Sequence, residues 1–174
     1  MVRKMTQRGF TLVELMVVVS LVALLLAWGI PAYSIWSARE NVEAEIARLY
    51  GDLEYARMTA YGDKNLTGIY WGGGANITRY LIMTNTNANG TSIDNGATQM
   101  GAAVSTTKNP LTVTANQNSV SFDGRGFLYT GDTNDPATQL TFYITPDYGA
   151  GTDCVSVTLT RIVSGKWDGT NCNP

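Results

Sequence analysis

The sequence predicts an α+β protein in which a long amino-terminal helical spine packs on an antiparallel β-sheet head. Three observations support this prediction: an apolar run over residues 10–35, an apolar stripe with helical spacing that follows it, and alternation of apolar and polar residues in the second half of the chain. One helix with a membrane-spanning half and an amphipathic half is therefore expected before a head built from strands.

The apolar run is long enough to cross a membrane, since about 20 apolar residues span a bilayer core of roughly 30 Å as a helix. Glu14 is the one acidic or basic residue within the run, and three basic residues precede it: Arg3, Lys4 and Arg8. A carboxylate in a membrane segment costs about 2.5 kcal/mol or more when nothing compensates it. Glu14 is therefore expected to have a partner and a function.

A cut between Gly9 and Phe10 would supply that partner. It would create a positive α-amine near Glu14 at the same end of the helix, where the two charges can pair within one chain or between neighbouring chains.

The stretch Arg8-Gly9-Phe10-Thr11-Leu12-Val13-Glu14-Leu15 resembles the class III leader junction of type IV prepilins and type II secretion pseudopilins. Downstream, Ile30-Pro31-Ala32-Tyr33 lies where that family carries a helix-kinking proline. The resemblance implies that a prepilin peptidase cuts after Gly9 and N-methylates Phe10. It also implies that Glu14 neutralises the amine of an adjacent subunit during filament assembly.

These features divide the chain into four parts: a leader at 1–9, a transmembrane and assembly helix at 10–35, an amphipathic helix at 36–61 and a periplasmic head at 62–174. Two other interpretations are a secretory signal peptide and an uncleaved membrane anchor. A signal peptide would have a shorter apolar core, would lack an early Glu and would end at a small-x-small site, for which Ala32-x-Ser34 is a poor match.

The amphipathic helix is predicted from Val42, Ile46, Leu49, Leu53 and Ala56, which are spaced to form a single apolar stripe. This stripe is expected to dock on a sheet of the same subunit. The charged residues on the other faces are expected to remain solvated; they are Glu40, Glu43, Glu54 and Arg57.

The end of this helix also resembles a subfamily. Leu53, Ala56, Arg57 and Ala60 are similar to the helix end of GspH/FimT-type pseudopilins and minor pilins. Those proteins carry a β-rich head, often with a Phe-x-x-x-Gly stretch and a late strand near a cysteine, and the stretches at 120–126 and 154–157 look similar. The resemblance implies a pilin-like fold.

Strands are predicted in the head at 66–71, 77–84, 111–114, 119–122 and 127–129, with a glycine turn at 72–74 and a hairpin turn at 123–126. The segment 85–110 is predicted to be a long exposed excursion in which a short strand is possible. Two late strands show the clearest alternation, and their buried residues are expected to be Leu140, Phe142 and Ile144 in the first and Val155, Val157 and Leu159 in the second.

Composition limits the possible functions. The chain has a formal charge of −2, and loss of the leader would leave 9 basic against 14 acidic residues, which disfavours a globally basic nucleic-acid binder. The chain contains no histidine, which excludes Ser-His-Asp and Cys-His catalysis and histidine-ligated metals.

The two cysteines, Cys154 and Cys172, are expected to form a disulfide in an exported head. Two free thiols or a two-ligand metal site are the alternatives. Gly72-Gly73-Gly74 lacks the Lys-Ser/Thr ending of a phosphate cradle, and the cluster at 132–135 lacks the spacing of an EF-hand, so a turn and a solvated loop are expected there. No cofactor or metal is predicted.

The function predicted is that of a structural subunit, a minor pilin or pseudopilin, in the bacterial inner membrane with a cytoplasmic amino terminus and a periplasmic head. The resemblance implies four partners: other pilins, the prepilin peptidase, an inner-membrane assembly platform and the membrane itself. An enzyme has almost no support from the sequence.

The alternative function is a filament-tip module that binds DNA, surfaces or secreted substrate. Some FimT-like minor pilins carry a basic Gly-Arg-x-Arg motif, from which residues 160–166 depart. With Arg125, Arg161 and Lys166 as the late basic residues, DNA contacts would be few and weak in salt.

Overall fold

The computed structural model describes residues 9–86, 93, 97–106, 108–114, 117–129 and 139–174, without the side chains of residues 28, 29 and 31. The predicted leader before Gly9, the cluster at 132–135 and part of the segment 85–110 lie outside these residues. The chain divides into two compact units, Met1–Ala38 and Arg39–Pro174. The head described below belongs to the second unit.

The amino-terminal element is a single helix, α1, over Leu12–Asp63. Its 52 residues are close to the roughly 50 expected from joining the two predicted halves. The helix ends where Lys64 adopts a φ of 57°, the left-handed conformation that commonly follows a helix.

Within the residues that the structure describes, ten strands follow α1, all paired antiparallel. They are β1 Leu66–Tyr70, β2 Asn76–Ile77, β3 Arg79–Asn85, β4 Thr98–Ser105, β5 Leu111–Val113, β6 Ser119–Phe122, β7 Gln139–Ile144, β8 Cys154–Thr158, β9 Ile162–Trp167 and β10 Cys172–Asn173. They form a four-stranded sheet, β4-β3-β1-β6, and a six-stranded sheet, β10-β9-β8-β7-β5-β2. The predicted fold class of helix plus antiparallel head is confirmed.

One hydrophobic core joins α1 to both sheets. The predicted stripe supplies its helical side, since Val42, Ile46, Leu49, Leu53 and Ala56 are each at most 1% exposed. Ile69, Tyr80 and Phe122 contribute from the four-stranded sheet, and Leu111, Phe142 and Val155 from the six-stranded sheet. The glycine turn at 72–74 is also present, with positive φ at all three residues.

The predicted strand at 77–84 is wrong as a single element. Its first part, β2, pairs with β5 in the six-stranded sheet, and its second part, β3, pairs with β1 and β4 in the other. Buried Thr106 stabilises the point between β2 and β3 where the chain passes from one sheet to the other. Its hydroxyl donates to the Ile77 carbonyl at 2.6 Å, and its amide donates to the Thr78 carbonyl at 2.9 Å.

Other strand boundaries also differ from the prediction. The segment 85–110 contains the eight-residue strand β4, which is longer than the short strand thought possible there, although most of its residues are exposed as predicted. Residues 127–129 form no strand, and only a bridge between Phe122 and Leu128 is present there. Leu159 was predicted to be buried but is 50% exposed, because it lies in the turn after β8. Strands β9 and β10 were not predicted.

Candidate functional site

The first turn of α1 is built around Thr11 and Glu14. The Glu14 amide donates to the Thr11 hydroxyl at 3.3 Å, and the Leu15 amide donates to the Thr11 carbonyl at 3.2 Å. Thr11 is therefore the N-cap residue, and Glu14 is an acid in the first turn, where the helix dipole favours negative charge. The structure thus places Glu14 in the first helical turn, a few residues after the Gly9-Phe10 junction, and its side chain is exposed.

The start of α1 exposes an unusual amount of apolar surface. Among the described side chains, the large apolar ones from Phe10, just before α1, to Trp36 are about half exposed or more, at 79% for Phe10 and 56% for Trp36. Within the described part of the chain, α1 is the one helix whose length and composition would allow it to cross a membrane. Ser20 also fits an apolar environment, because its hydroxyl donates to the Met16 carbonyl at 2.8 Å within the helix.

The helix is continuous through Pro31. The kink predicted at this residue stays a prediction, as do the cut at Gly9, the methylation of Phe10 and the role of Glu14. The described residues contain no group of three or more His, Cys, Asp or Glu side chains arranged to hold a metal.

The two cysteines form the disulfide expected of them. Cys154 of β8 is joined to Cys172 of β10, with 5.8 Å between their Cα atoms. Strand β10 is only two residues long and pairs with β9, so the disulfide fastens the end of the chain to the centre of the six-stranded sheet.

Two of the charged residues on the outer faces of α1 also bind the head. The Gly151 amide donates to Glu43 Oε1 at 2.7 Å, and this bond together with that from Arg39 lowers the pKa of Glu43. Arg57 donates to the carbonyls of Gly126 at 2.8 Å and Thr160 at 2.9 Å. Polar contacts as well as the apolar stripe therefore attach α1 to the head.

Lys166 lies at the centre of a polar cluster beside the loop between β7 and β8. Its ammonium donates to Asp147, to the Ala150 carbonyl at 2.7 Å and to buried Asp153 at 2.9 Å. Partial burial opposes the charge of Lys166, but the two carboxylates raise its pKa overall. Hydrogen bonding from Lys166 lowers the pKa of Asp147. The cluster fixes this loop against β9.

Comparison with known families gives two matches. A family described as "Prokaryotic N-terminal methylation motif" matches residues 4–30, which include the Gly9-Phe10 junction and Glu14. A family described as "Type II transport protein GspH" matches residues 45–162, more than half of the chain. The chain belongs to the GspH family. The resemblance to GspH/FimT-type pilin-like proteins that the leader and the helix end predicted is confirmed.

Individual relatives match the chain over shorter regions. The "Type IV major fimbrial protein FimA" of Dichelobacter nodosus strain VCS1703A is 37% identical over 67 residues, which cover 34% of this chain and 41% of that protein. "Fimbrial protein EcpC" of Eikenella corrodens is 38% identical over 63 residues, covering 36% and 40%. This GspH-family chain therefore spans about two fifths of the length of these relatives.

The fold also resembles solved structures of the type IV minor pilin FimU from Pseudomonas aeruginosa strain PAO1. In one crystal form the TM-score is 0.48 at 20% identity, covering 79% of this chain and 99% of FimU. In a second crystal form the TM-score is 0.47, with 82% and 98% covered.

Sequence reasoning had missed Thr11, although the Thr-x-x-Glu pattern of a capping box was visible. It also missed the contacts of Arg57 with the head and those of Lys166 with the loop between β7 and β8. No local pattern marks these contacts, because the two Arg57 acceptors lie 69 and 103 residues farther along the chain.

Proposed function

We propose that this GspH-family protein is a structural subunit, a minor pilin or pseudopilin, of a type IV pilus or a type II secretion pseudopilus. One observation carries the proposal: a capped helix exposes the large apolar side chains described between Phe10 and Trp36 and holds a single acid, Glu14, in its first turn, close to a Gly-Phe junction. An isolated soluble domain would leave this surface uncovered, whereas a bilayer and neighbouring helices would cover it.

The chemistry of assembly follows from the charges. Cleavage after Gly9 by prepilin peptidase releases the α-amine of Phe10, and N-methylation leaves that amine basic. Glu14 of a subunit still in the membrane then pairs with the Phe10 amine of its neighbour. Because an unpaired carboxylate in the bilayer costs about 2.5 kcal/mol or more, this pairing favours a defined register between adjacent helices.

The expected orientation places the amino terminus in the cytoplasm and the head in the periplasm. Arg3, Lys4 and Arg8 precede the apolar run, and basic residues are retained on the cytoplasmic side. The disulfide between Cys154 and Cys172 suits the oxidising periplasm. The subunit would move from the inner membrane into a filament through an assembly platform. Its role is structural rather than catalytic.

Intact-mass measurement of the protein purified from its native membrane tests this proposal. The expected mass is that of a chain that begins at Phe10, carries one methyl group and has lost two hydrogens to the disulfide. A mature chain that begins at another residue, or a full-length chain in assembled filaments, would overturn the proposal. If the mass agrees with the proposal, a deletion strain identifies the filament class. Loss of surface pili would indicate a type IV pilus, and loss of secreted enzymes would indicate a type II secretion pseudopilus.

A further inference from the structure

A cleft of about 450 Å³ opens in the head where two turns meet. One is the turn after β6, and the other is the turn between β8 and β9. The Leu128 amide donates to the Leu159 carbonyl at 3.0 Å and so joins the two turns. Arg125, Phe127, Tyr129 and Leu159 are among the residues that line the cleft.

The walls of the cleft are held in place by α1. Arg57 bonds both turns through the Gly126 and Thr160 carbonyls, and Lys64 donates to the Gly124 carbonyl at 3.2 Å. Asp123 fixes the first turn further, because its Oδ1 accepts from the amides of Arg125 at 2.9 Å and Phe127 at 3.0 Å. Burial alone would raise the pKa of Asp123, but these bonds and the Arg125 guanidinium lower it overall, so the carboxylate stays ionised. The cleft is therefore formed before any partner arrives.

Large apolar side chains are exposed around this cleft. Phe127 is 38% exposed and Leu159 is 50% exposed, and both line it. Tyr61 is 60% exposed and adjoins the first turn, because a Cβ added at Gly126 would lie 3.8 Å from the Tyr61 Cβ. Exposed apolar groups gathered at a concave site indicate a surface that binds another molecule.

Three basic side chains and one acid, Asp123, lie at the turns that form the cleft, whereas the head as a whole is acidic. From Arg39 to the end, the chain has nine basic and thirteen acidic residues. Three of the basic side chains, Arg57, Lys64 and Arg125, contact the turns that form the cleft. The Arg125 side chain pairs with Asp123 and is nevertheless 79% exposed, so it can reach a ligand at the rim. An acidic ligand with an apolar group fits this combination.

We propose that this cleft docks an extended segment of a neighbouring filament subunit, in which an apolar side chain enters between Phe127 and Leu159 and an adjacent carboxylate meets Arg125. The proposal rests on the proposed function as a filament subunit. A protein segment fits better than nucleic acid, because Arg57 and Lys64 are already engaged by backbone carbonyls and the head is acidic, whereas a phosphate backbone requires several free cations.

Site-specific photo-crosslinking in cells that assemble the filament tests this docking site. The photoreactive residue p-benzoylphenylalanine replaces Leu159 in the full-length protein, and the matched control replaces Tyr148, which is 46% exposed but does not line the cleft. The position-159 probe is expected to crosslink to another filament subunit, at a peptide that mass spectrometry shows to contain an apolar residue next to Asp or Glu. Equal crosslinking from both positions, or adducts at position 159 that contain only nucleic acid, would overturn the proposal.

A second measurement uses substitutions at exposed positions that leave the core unchanged. Leu159→Ser is expected to lower the amount of the subunit in purified filaments about tenfold, the loss expected when one apolar anchor is removed from an interface. Arg125→Gln should give a smaller decrease, and Tyr148→Ser should give none. Unchanged incorporation of Leu159→Ser would refute the docking site. In that case a decrease in incorporation for Glu14→Ala would still support the proposed function. Absence of the wild-type protein from any filament would refute the proposed function itself.

Discussion

The phenol of Tyr80 donates a 2.6 Å hydrogen bond to Oδ2 of Asp52, joining β3 to α1 at the edge of the core. Tyr80 is 1% exposed, and it is among the largest fully buried side chains of the head. Burial raises its pKa strongly, and the bond to Asp52 raises it further, so the phenol remains a neutral donor. This hydrogen bond fixes the position of β3 on α1 more specifically than apolar packing alone would.

Removing this donor is expected to destabilise the head. Tyr80→Phe keeps the ring in the core but leaves Asp52 without its partner, so we expect a loss of about 1.5 kcal/mol in the free energy of unfolding. Denaturant unfolding of the full chain in detergent measures it. Tyr55→Phe is the control, because Tyr55 lies on the same helix and is 52% exposed. Equal stability of both variants would show that the bond contributes nothing.

Glu45 offers a pH-dependent test of the same helix. Its Oε1 atom is buried without a hydrogen-bond partner among the described residues, and burial raises the pKa of this carboxyl. When the folded-state pKa of an acid lies above the unfolded one, the charged form destabilises the fold at higher pH. That penalty disappears as the pH falls through the folded and then the unfolded pKa.

Glu45→Gln is therefore expected to stabilise the head at pH 7, by a gain on the order of 0.5 kcal/mol because solvent still screens part of the charge. The gain should shrink at pH 4, where the native carboxyl is largely protonated. Thermal unfolding at the two pH values measures the difference. Glu40→Gln, at an exposed position on α1, should show no such change. A gain that was the same at both pH values would contradict this electrostatic explanation.

The disulfide between Cys154 and Cys172 is expected to contribute on the order of 3 kcal/mol, because it closes a loop of 18 residues in the unfolded chain. Replacing both cysteines with serine should lower the denaturation midpoint by a corresponding amount. A reducing agent should lower the stability of the wild-type protein but not that of the double variant. If the wild-type protein were equally stable when reduced, the cross-link would have no role in holding β10.

Local periodicity predicted the elements whose buried face repeats along the sequence. The stripe from Val42 to Ala56 was correct because a helix repeats its buried face along the sequence. The division of 77–84 between two sheets was not visible, because it depends on Thr106, which lies 29 residues after Ile77. Alternation also failed at Thr141 and Ser156, which are 4% and 5% exposed although they were expected on the solvent side.

The site divides in the same way. Gly9, Phe10 and Glu14 lie within one short stretch of the sequence, so a local motif could indicate them. The cleft at Phe127 and Leu159 could not be predicted, since it forms only when the turns after β6 and β8 meet and Arg57 fastens them. A surface formed by turns that are far apart in the sequence has no periodic pattern from which it could be predicted.

Gly9 provides a test of processing that does not disturb packing. A Cβ added at this glycine would meet nothing within 4 Å, so a bulky residue there should not affect the fold. Gly9→Leu is nevertheless expected to block leader removal, because the peptidase must accommodate the backbone at the junction. The unprocessed precursor should then accumulate in the membrane, visible as a slower band on a denaturing gel. Gly51→Leu is the matched control, since Gly51 is also open and should permit normal processing.

Glu14 separates processing from assembly. Glu14→Ala or Glu14→Val should leave cleavage after Gly9 intact, since the changed side chain lies beyond the junction, but should lower incorporation into filaments about tenfold or more. That factor corresponds to about 1.4 kcal/mol, less than the cost of an unpaired charge in the bilayer. Immunoblots of sheared filaments and of membranes measure the two steps separately.

The control for Glu14 is Glu40→Ala, which removes an exposed acid from the same helix and should not affect either step. Glu14→Gln keeps the size and polarity of the side chain while removing its charge. If pairing with the Phe10 amine is what selects the neighbour, Glu14→Gln should fail as Glu14→Ala does. If Glu14→Gln assembled normally, shape or hydrogen bonding at the first turn of α1, rather than charge, would have to bring the subunits together.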